Sequence, residues 1–479
     1  MDSRRMMVMY RSIDIVSILI AVAWFLFNVT LPDMFNGRLC CDSVGYIAIA
    51  KKLTSIQDVL TNYGGRTLGY PLFLKANFLM TDWLPAGQLF DGVTLSLVTA
   101  LFLHLCSSFF LYHSVQTVGF KVHRAALWLL IIHPGLVSHA ALPLTDGFAT
   151  TLFMFAAGCM LRAYSGWHWK NVAWAAGTGA LLGWIVLTRP GHLPAASLTI
   201  VLWMAIAFSS SVRIRHWRPL LMPLFCALLF TAALLPRSME CAKLDHRICL
   251  YTKRERDAEL RYILHNRNGA RTYSVLRWNE HHQGESWMNT VDDSLFLDHF
   301  QCLSVPKNVD ALQGVLSCYW SRLPLLPFLF LKKTIALFDN LHLNTYAAYI
   351  TTPVQRYYNR LFGFLGFAGF CLMLRVAVAS LPRRQWRSVR WLLPVLYTFL
   401  YFSFSLLVHT EVRFGFPLVP MSFLFLVSSI EEFCTEKKFK VLIVFLLFLA
   451  TVFFLQVYIW DLSDPLLTTN VGSLQDVRS

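Results

Sequence analysis

The sequence predicts an all-α polytopic membrane protein, on three observations. Hydrophobic residues make up 56% of the 479-residue chain and charged residues only 14%, a balance foreign to soluble domains. Apolar runs of about 18 to 22 residues recur from end to end, the length that a hydrocarbon core of roughly 30 Å demands of a helix. Basic clusters fall in alternate short loops, as the positive-inside rule requires.

Hydropathy and punctuation by Pro, Gly and charge place spans near 13–31, 90–112, 124–141, 146–163, 171–188, 191–209, 218–236, 359–379, 391–409, 414–431 and 439–460. This makes about eleven transmembrane helices, with two long segments, 32–89 and 237–358, left outside the spans. The first run follows Arg4, Arg5 and Arg11 but lacks a small-residue cleavage site, which favours an uncleaved anchor over a signal peptide. An inside N-terminus places Lys121/Arg124, Arg162/Lys170, Arg213/Arg215/Arg218, Arg383/Arg384/Arg387/Arg390 and Lys437/Lys438/Lys440 together on the cytoplasmic face. Both long segments are then exterior. The run 323–337 (LPLLPFLFLKKTIAL) is expected to be an interfacial helix, because Pro324, Pro327, Lys332 and Lys333 interrupt it and a span there would export the basic loop at 383–390. Three parts result: an N-terminal transmembrane module, 1–236, containing the first exterior segment; a large exterior loop, 237–358; and a C-terminal transmembrane module, 359–479.

The net charge of +15 fits basic cytoplasmic loops against anionic membrane lipids, and no nucleic-acid partner is expected. Six of the 11 cysteines, Cys40, Cys41, Cys241, Cys249, Cys302 and Cys318, fall in the exterior segments. An oxidising compartment would let them form disulfides; otherwise they are unpaired thiols. A disulfide from Cys40 or Cys41 to the large loop would tie the two exterior segments together.

Polar residues that touch the spans collect at their exterior ends: Asp42, Arg66, Asp91, Asp146, Arg189, Arg237, Glu411 and Arg413. A transporter more often carries ionisable groups or broken helices near the bilayer centre, and neither is evident. In DSVGYIAIAKKL the apolar positions Val44, Ile47, Ile49, Ala50 and Leu53 have helical spacing, so Asp42 opens a surface helix that ends at Lys51 and Lys52. In NYGGRTLGYPLFL, Gly64 and Gly65 turn the chain, Arg66 projects, and Gly69, Tyr70 and Pro71 start a second apolar helix. LPLTDGF offers Asp146 either as a cap or as a functional acid. LTRPGHLP offers Arg189 either as a snorkelling side chain or as an anion ligand, with His192 close behind. HTEVRFGFP packs His409, Glu411 and Arg413 between two spans, where a solvated ion pair is the plain reading. His281 and His282 in NEHHQGE lack the i, i+4 spacing of a metal site.

This order of motifs resembles the integral-membrane glycosyltransferases of the C-type fold (GT-C), in the branch of the lipid A aminoarabinose transferases and protein O-mannosyltransferases. Asp42–Ser43 departs from members with a paired Asp-Glu. The resemblance implies an inverting transferase that moves a sugar from a polyprenyl-phosphate donor to a glycolipid, lipopolysaccharide or protein acceptor on the exterior face. It implies a multi-pass protein of the bacterial inner membrane with a periplasmic site, or alternatively of the endoplasmic reticulum. Asp42 would deprotonate or orient the acceptor hydroxyl, and Asp146 would orient sugar hydroxyls or a basic side chain. Arg66, Lys51, Lys52, Arg189 and Arg413 would hold the donor phosphate, with Tyr46, Tyr70, His192 and Glu411 lining the substrate. No cofactor or metal is required, because cations stabilise the leaving phosphate. Trp278, Trp287, Tyr262 and Tyr273 suit either a lid over the cavity or plain packing. An O-antigen polymerase or ligase, and a lipid-linked saccharide flippase or transporter, are the competing classes.

Overall fold

The structure is a computed structural model and describes residues 15–26, 42–55, 58, 67–83, 91–120, 122–140, 144–163, 169–214, 217–246, 249–250, 260, 273–278, 286–291, 298–303, 311–339, 353–380, 391–407, 412–436 and 438–463. Among these, seven helices are long and apolar enough to cross a membrane: Gly92–Thr117, Trp169–Thr188, Pro190–Val212, Arg218–Met239, Tyr357–Ala379, Arg413–Thr435 and Phe439–Ile459. The chain is a membrane protein built almost wholly of helix. The other predicted spans are also helical, but shorter, broken or less apolar. The chain forms two compact units, one of Met1–Leu234 with Ser380–Val395 and one of Leu235–Ala379 with Leu396–Ser479.

In the first unit the helices are α1 (Ile15–Leu26), α2 (Asp42–Lys52), α3 (Gly69–Trp83), α4 (Gly92–Thr117), α5 (Ala125–Ile132), α6 (Pro134–Ala140), α7 (Thr145–Ala163), α8 (Trp169–Thr188), α9 (Leu193–Ile214) and the start of α10 (Arg218–Asp245). α2 has the predicted extent, but its buried face runs through Ser43, Tyr46, Ile47, Ala50 and Leu53, while Val44 is 53% exposed. Just beyond it the Asp58 carboxylate accepts hydrogen bonds from the Thr54 hydroxyl and the Thr54 and Ser55 amides, which hold its pKa down to about 2.

The predicted span at 124–141 is two short helices, α5 and α6, for a local reason. Pro134 has no N–H to donate to the Leu130 carbonyl one turn back. The buried His104 of α4 supplies the donor, its Nε2 lying 3.2 Å from Leu130 O. His133 then caps α6, its Nδ1 accepting from the Leu136 amide at 3.1 Å.

α7 and α8 form an antiparallel hairpin. At one end Arg162 of α7 lies over the rings of Phe110 and Trp174, 4.6 and 4.9 Å from their centroids, and its Nε donates to Ser114 Oγ. α8 meets α10 through Gly179 and Gly183: a Cβ at Gly179 would collide with the Cys226 carbonyl, and one at Gly183 would lie 2.5 Å from Ala233 Cβ. This is the close backbone approach that small residues four apart permit between membrane helices.

In the second unit the rest of α10 leads to a hairpin, β1 (Tyr273–Trp278) and β2 (Ser286–Val291), paired antiparallel from Tyr273↔Val291 to Trp278↔Ser286. The all-α expectation missed it, although aromatic and β-branched residues flank the polar stretch NEHHQG. Next come α11 (Ala311–Ser321), α12 (Leu326–Phe338), α13 (Pro353–Ser380), α14 (Leu392–Ser405, mostly in this unit), α15 (Val419–Thr435) and α16 (Phe439–Ser463). Disulfides join Cys241 to Cys249 and Cys302 to Cys318, so four of the six predicted exterior cysteines pair locally; Cys40 and Cys41 lie outside the described residues.

The run 323–337 also differs from expectation. Leu312–Ser321 and Leu323–Phe338 form a pair bent by 75°, a broken span or re-entrant loop by length and composition. Lys332 and Lys333 do not interrupt α12. Lys333 is fully buried and its Nζ donates to the Leu406 carbonyl at 2.8 Å, while Tyr319 Oη donates to the Leu407 carbonyl at 2.9 Å. Both donors serve carbonyls just past the end of α14, and the cation suits the negative end of a helix dipole.

The bond to Leu130 gives His104 a structural role as a backbone donor. His104→Leu should lower stability by about 1–3 kcal/mol, the cost of an orphaned buried carbonyl, whereas His104→Gln should lose much less. Thermal unfolding of the detergent-solubilised variants measures the difference.

Candidate functional site

Three predicted motifs meet in the first unit. The hairpin of α7 and α8 brings the start of one helix beside the end of the other, which puts LTDGF next to LTRPG. There Arg189 Nη1 forms an ion pair with Asp146 Oδ1. Asp146 is 3% exposed and stands in the first turn of α7, where the helix dipole favours an anion; Arg189 follows the last residue of α8, where it favours a cation. The pair is therefore matched to the charge of both helix ends. The Arg189 side chain keeps 20% of its surface exposed against 2% for Asp146, so it is the less buried member of the pair. A guanidinium presents its N–H donors in a fixed fork that suits a carboxylate.

The third motif docks on the same helix end. Thr67 Oγ1 donates to the Thr188 carbonyl at 2.8 Å, and Trp184 Nε1 donates to the Gly69 carbonyl at 3.0 Å. Gly69 has to be small, because a Cβ there would run into Thr188 Oγ1 and lie 2.6 Å from the Thr188 nitrogen. Beside this contact Tyr70 packs edge-on against Tyr46 of α2 and against Phe148 of α7, with centroids 5.7 and 5.6 Å apart. Phe73 stacks on Phe148 at 4.4 Å, and Trp184 meets Phe148 edge-on at 5.8 Å. An aromatic cluster thus joins α2, α3, α7 and α8 next to the ion pair. Tyr70 is wholly buried, its hydroxyl makes no hydrogen bond among the described residues, and burial pushes its pKa above the usual phenol range. The phenol stays protonated across the physiological range.

The predicted site residues divide accordingly. Asp146, Arg189, Tyr46 and Tyr70 come together, and the basic side chain paired with Asp146 is Arg189. Asp42 begins α2, the helix whose Tyr46 reaches the cluster, but its side chain lies outside the description. Lys51 and Lys52 are exposed at the other end of α2, a helix length of roughly 14 Å from Asp42. His192 is fully buried in the turn Pro190–His192, so it faces the protein interior. Arg413 lies in the second unit, in the turn Val412–Leu418, with its guanidinium 5.6 Å from the Phe414 centroid. Arg66 and Glu411 lie outside the described residues. Asp91 has a capping role, accepting from the Thr94 amide at 2.6 Å, and Arg237 Nε donates to the Leu250 carbonyl.

Sequence reading passed over Trp184. Its signal was position: five residues before Arg189, an indole whose N–H can bond a neighbouring backbone carbonyl while the residue stays 37% exposed. Cys241, Asp245 and Cys249 have ligand atoms close enough for a metal, but the two sulfurs are bonded to each other and leave the carboxylate as the sole donor of the three. Comparisons with protein-family models, with curated proteins and with solved structures found no match.

The cluster can hold an anion against a fixed cation, beside aromatic faces and one protonated phenol. Tyr70→Phe removes a hydroxyl that no described residue bonds. The expected result is unchanged or slightly raised thermal stability, as shown by thermal unfolding of the detergent-solubilised variant.

Proposed function

We propose that this protein is a GT-C-type glycosyltransferase that moves a sugar from a polyprenyl-phosphate donor to a glycolipid, lipopolysaccharide or protein acceptor. The observation that carries the reading is the meeting of LTDGF, LTRPG and TLGYP around the Asp146–Arg189 pair, motifs whose order carries the resemblance.

Arg189 holds the donor phosphate and stabilises the charge that grows on it as the glycosidic bond breaks. Asp146 fixes the guanidinium by charge and by position, which is why it is buried while its partner is not. Tyr46 borders the sugar, and the wholly buried Tyr70 backs Tyr46 edge-on. Asp42 opens α2 at the same cluster and takes the acceptor proton or orients its hydroxyl. Transfer inverts the anomeric centre, and cations suffice to neutralise the leaving phosphate. The lipid tail lies along the apolar helices, which spares an extraction cost of about 0.8 kcal/mol per CH₂.

We place this chemistry on the exterior face of about eleven spans. Two disulfides in the segment beyond 236 support an oxidising surroundings for it, as in a periplasm or lumen. A bacterial inner membrane fits the resemblance best. Lys333, fully buried on a bent helix pair, is the one observation that favours transport. Its ammonium caps the end of α14, and that accounts for it without a pathway.

Asp42→Asn should abolish transfer and leave insertion intact, since a single neutral substitution at the start of a surface helix does not disturb the spans. The measurement is release of polyprenyl phosphate and labelled product from purified protein in nanodiscs supplied with a lipid-linked sugar pool. Full activity in the variant removes Asp42 as the base. Sugar-lipid moved across liposomes with no covalent product replaces the transferase reading with a transport one.

A further inference from the structure

The peptide units just before Arg189 are held from outside their own helix. The Arg189 amide closes the last turn of α8 on the Ile185 carbonyl at 2.7 Å, and the residue itself is extended, with φ −145° and ψ 99°. Where its side chain leaves the helix therefore depends on where Leu187 and Thr188 sit. Those two residues abut the start of α3: Thr67 Oγ1 donates to the Thr188 carbonyl, and the Gly69 Cα takes the space against Thr188 and Leu187 that a side chain would fill.

Thr188 itself shows the effect of this contact. Thr150 of α7, Thr178 of α8 itself and Thr199 of α9 each donate to the carbonyl four residues back. Thr188 Oγ1 is buried without a hydrogen-bond partner among the described residues, turned instead toward Gly69. The packing against α3 thus overrides the local preference of the helix end.

Trp184 is the common member of the surrounding contacts. Its N–H bonds the Gly69 carbonyl, its ring meets Phe148, two residues beyond Asp146, and its own helix carries Arg189. One side chain thereby touches the elements bearing the anion and the cation and the start of α3.

We propose that Trp184 and Gly69 are positioning residues for Arg189: by docking the start of α3 on the end of α8 and on Phe148, they hold the guanidinium where it meets both the Asp146 carboxylate and a lipid phosphate. The phosphate part rests on the function proposed above. Neither residue touches the ligand. Their effect passes through Arg189, and it disappears when the fork of Arg189 is already lost.

Equilibrium dialysis of radiolabelled geranylgeranyl phosphate against the full chain in detergent micelles tests this, with thermal unfolding of each variant alongside. Trp184→Phe keeps the ring contact and deletes the N–H; Gly69→Ala adds the colliding Cβ. Arg189→Lys keeps the charge and loses the fork. Arg189→Lys should weaken binding about tenfold, and Trp184→Phe and Gly69→Ala about five- to tenfold in the natural background, but less than about twofold when combined with Arg189→Lys. If Gly69→Ala does not fold, Trp184→Phe, which introduces no clash, decides alone. Weakened binding in Arg189→Lys with natural affinity in Trp184→Phe overturns the positioning role and leaves the phosphate site standing. So does an equal loss in both backgrounds. Natural affinity in Arg189→Lys overturns the phosphate site and the positioning role together.

Discussion

The buried pair of Asp146 and Arg189 is the interaction on which the first unit depends. A carboxylate 3% exposed cannot stay ionised among apolar helices without a cation and hydrogen bonds, and a helix start cannot supply all of that by its dipole alone. Arg189 is the partner, so the end of α8 has to lie against the start of α7, and the chain between them has to fold as a hairpin. Arg162 between Phe110 and Trp174 secures the opposite end of the same hairpin. Between the two, Gly179 and Gly183 let α10 approach from another side. Everything proposed about the site follows from which of the two charges is sealed in and which still reaches the surface.

Much of this was written in the sequence. Asp146 and Arg189 were expected at the same ends of consecutive spans, and two antiparallel helices joined by a short loop bring such positions together. The extent of α2, from Asp42 to Lys52, was legible from its apolar spacing. Other features were not, because they depend on contacts between distant segments. Nothing local marks Gly69 as the floor under Thr188, or Trp184 as the donor to its carbonyl. The exposure of Val44 and the burial of Tyr46 were set by α3 rather than by α2 alone. The break at Pro134 was visible as a proline, but its repair by His104, 26 residues away, was not. A hydropathy window joined α5 and α6 because both are apolar, and it could not register the missing amide.

Lys333 teaches the same lesson from the other unit. A pair of lysines at the end of an apolar run reads as a surface feature, and Lys332 alone retains partial exposure. Lys333 is drawn inside because the carbonyls just past the end of α14 need donors, and its ammonium bonds the Leu406 carbonyl. Tyr319 serves the neighbouring carbonyl, and the Cys302–Cys318 disulfide ties its helix to a cluster of Phe300, Leu303 and Leu329. In both units a backbone acceptor left over by a helix end or a proline recruits a buried polar side chain. The rule separates structural polar residues such as His104 and Lys333 from Asp146 and Arg189, whose partner is another charge.

The most direct measurement of the central interaction is a double-mutant cycle on thermal stability, with Asp146→Asn, Arg189→Gln and their combination in detergent-solubilised full chain. Removing one partner of a buried pair costs about 3–5 kcal/mol, with the lower end expected here because Arg189 is a fifth exposed. We expect each single variant to be clearly destabilised, Arg189→Gln the more so because it strands the better buried charge, and the double variant to recover most of the loss, with a coupling of about 2 kcal/mol or more. Additive losses, with a coupling below about 0.5 kcal/mol, would show that the two side chains do not hold these helices together.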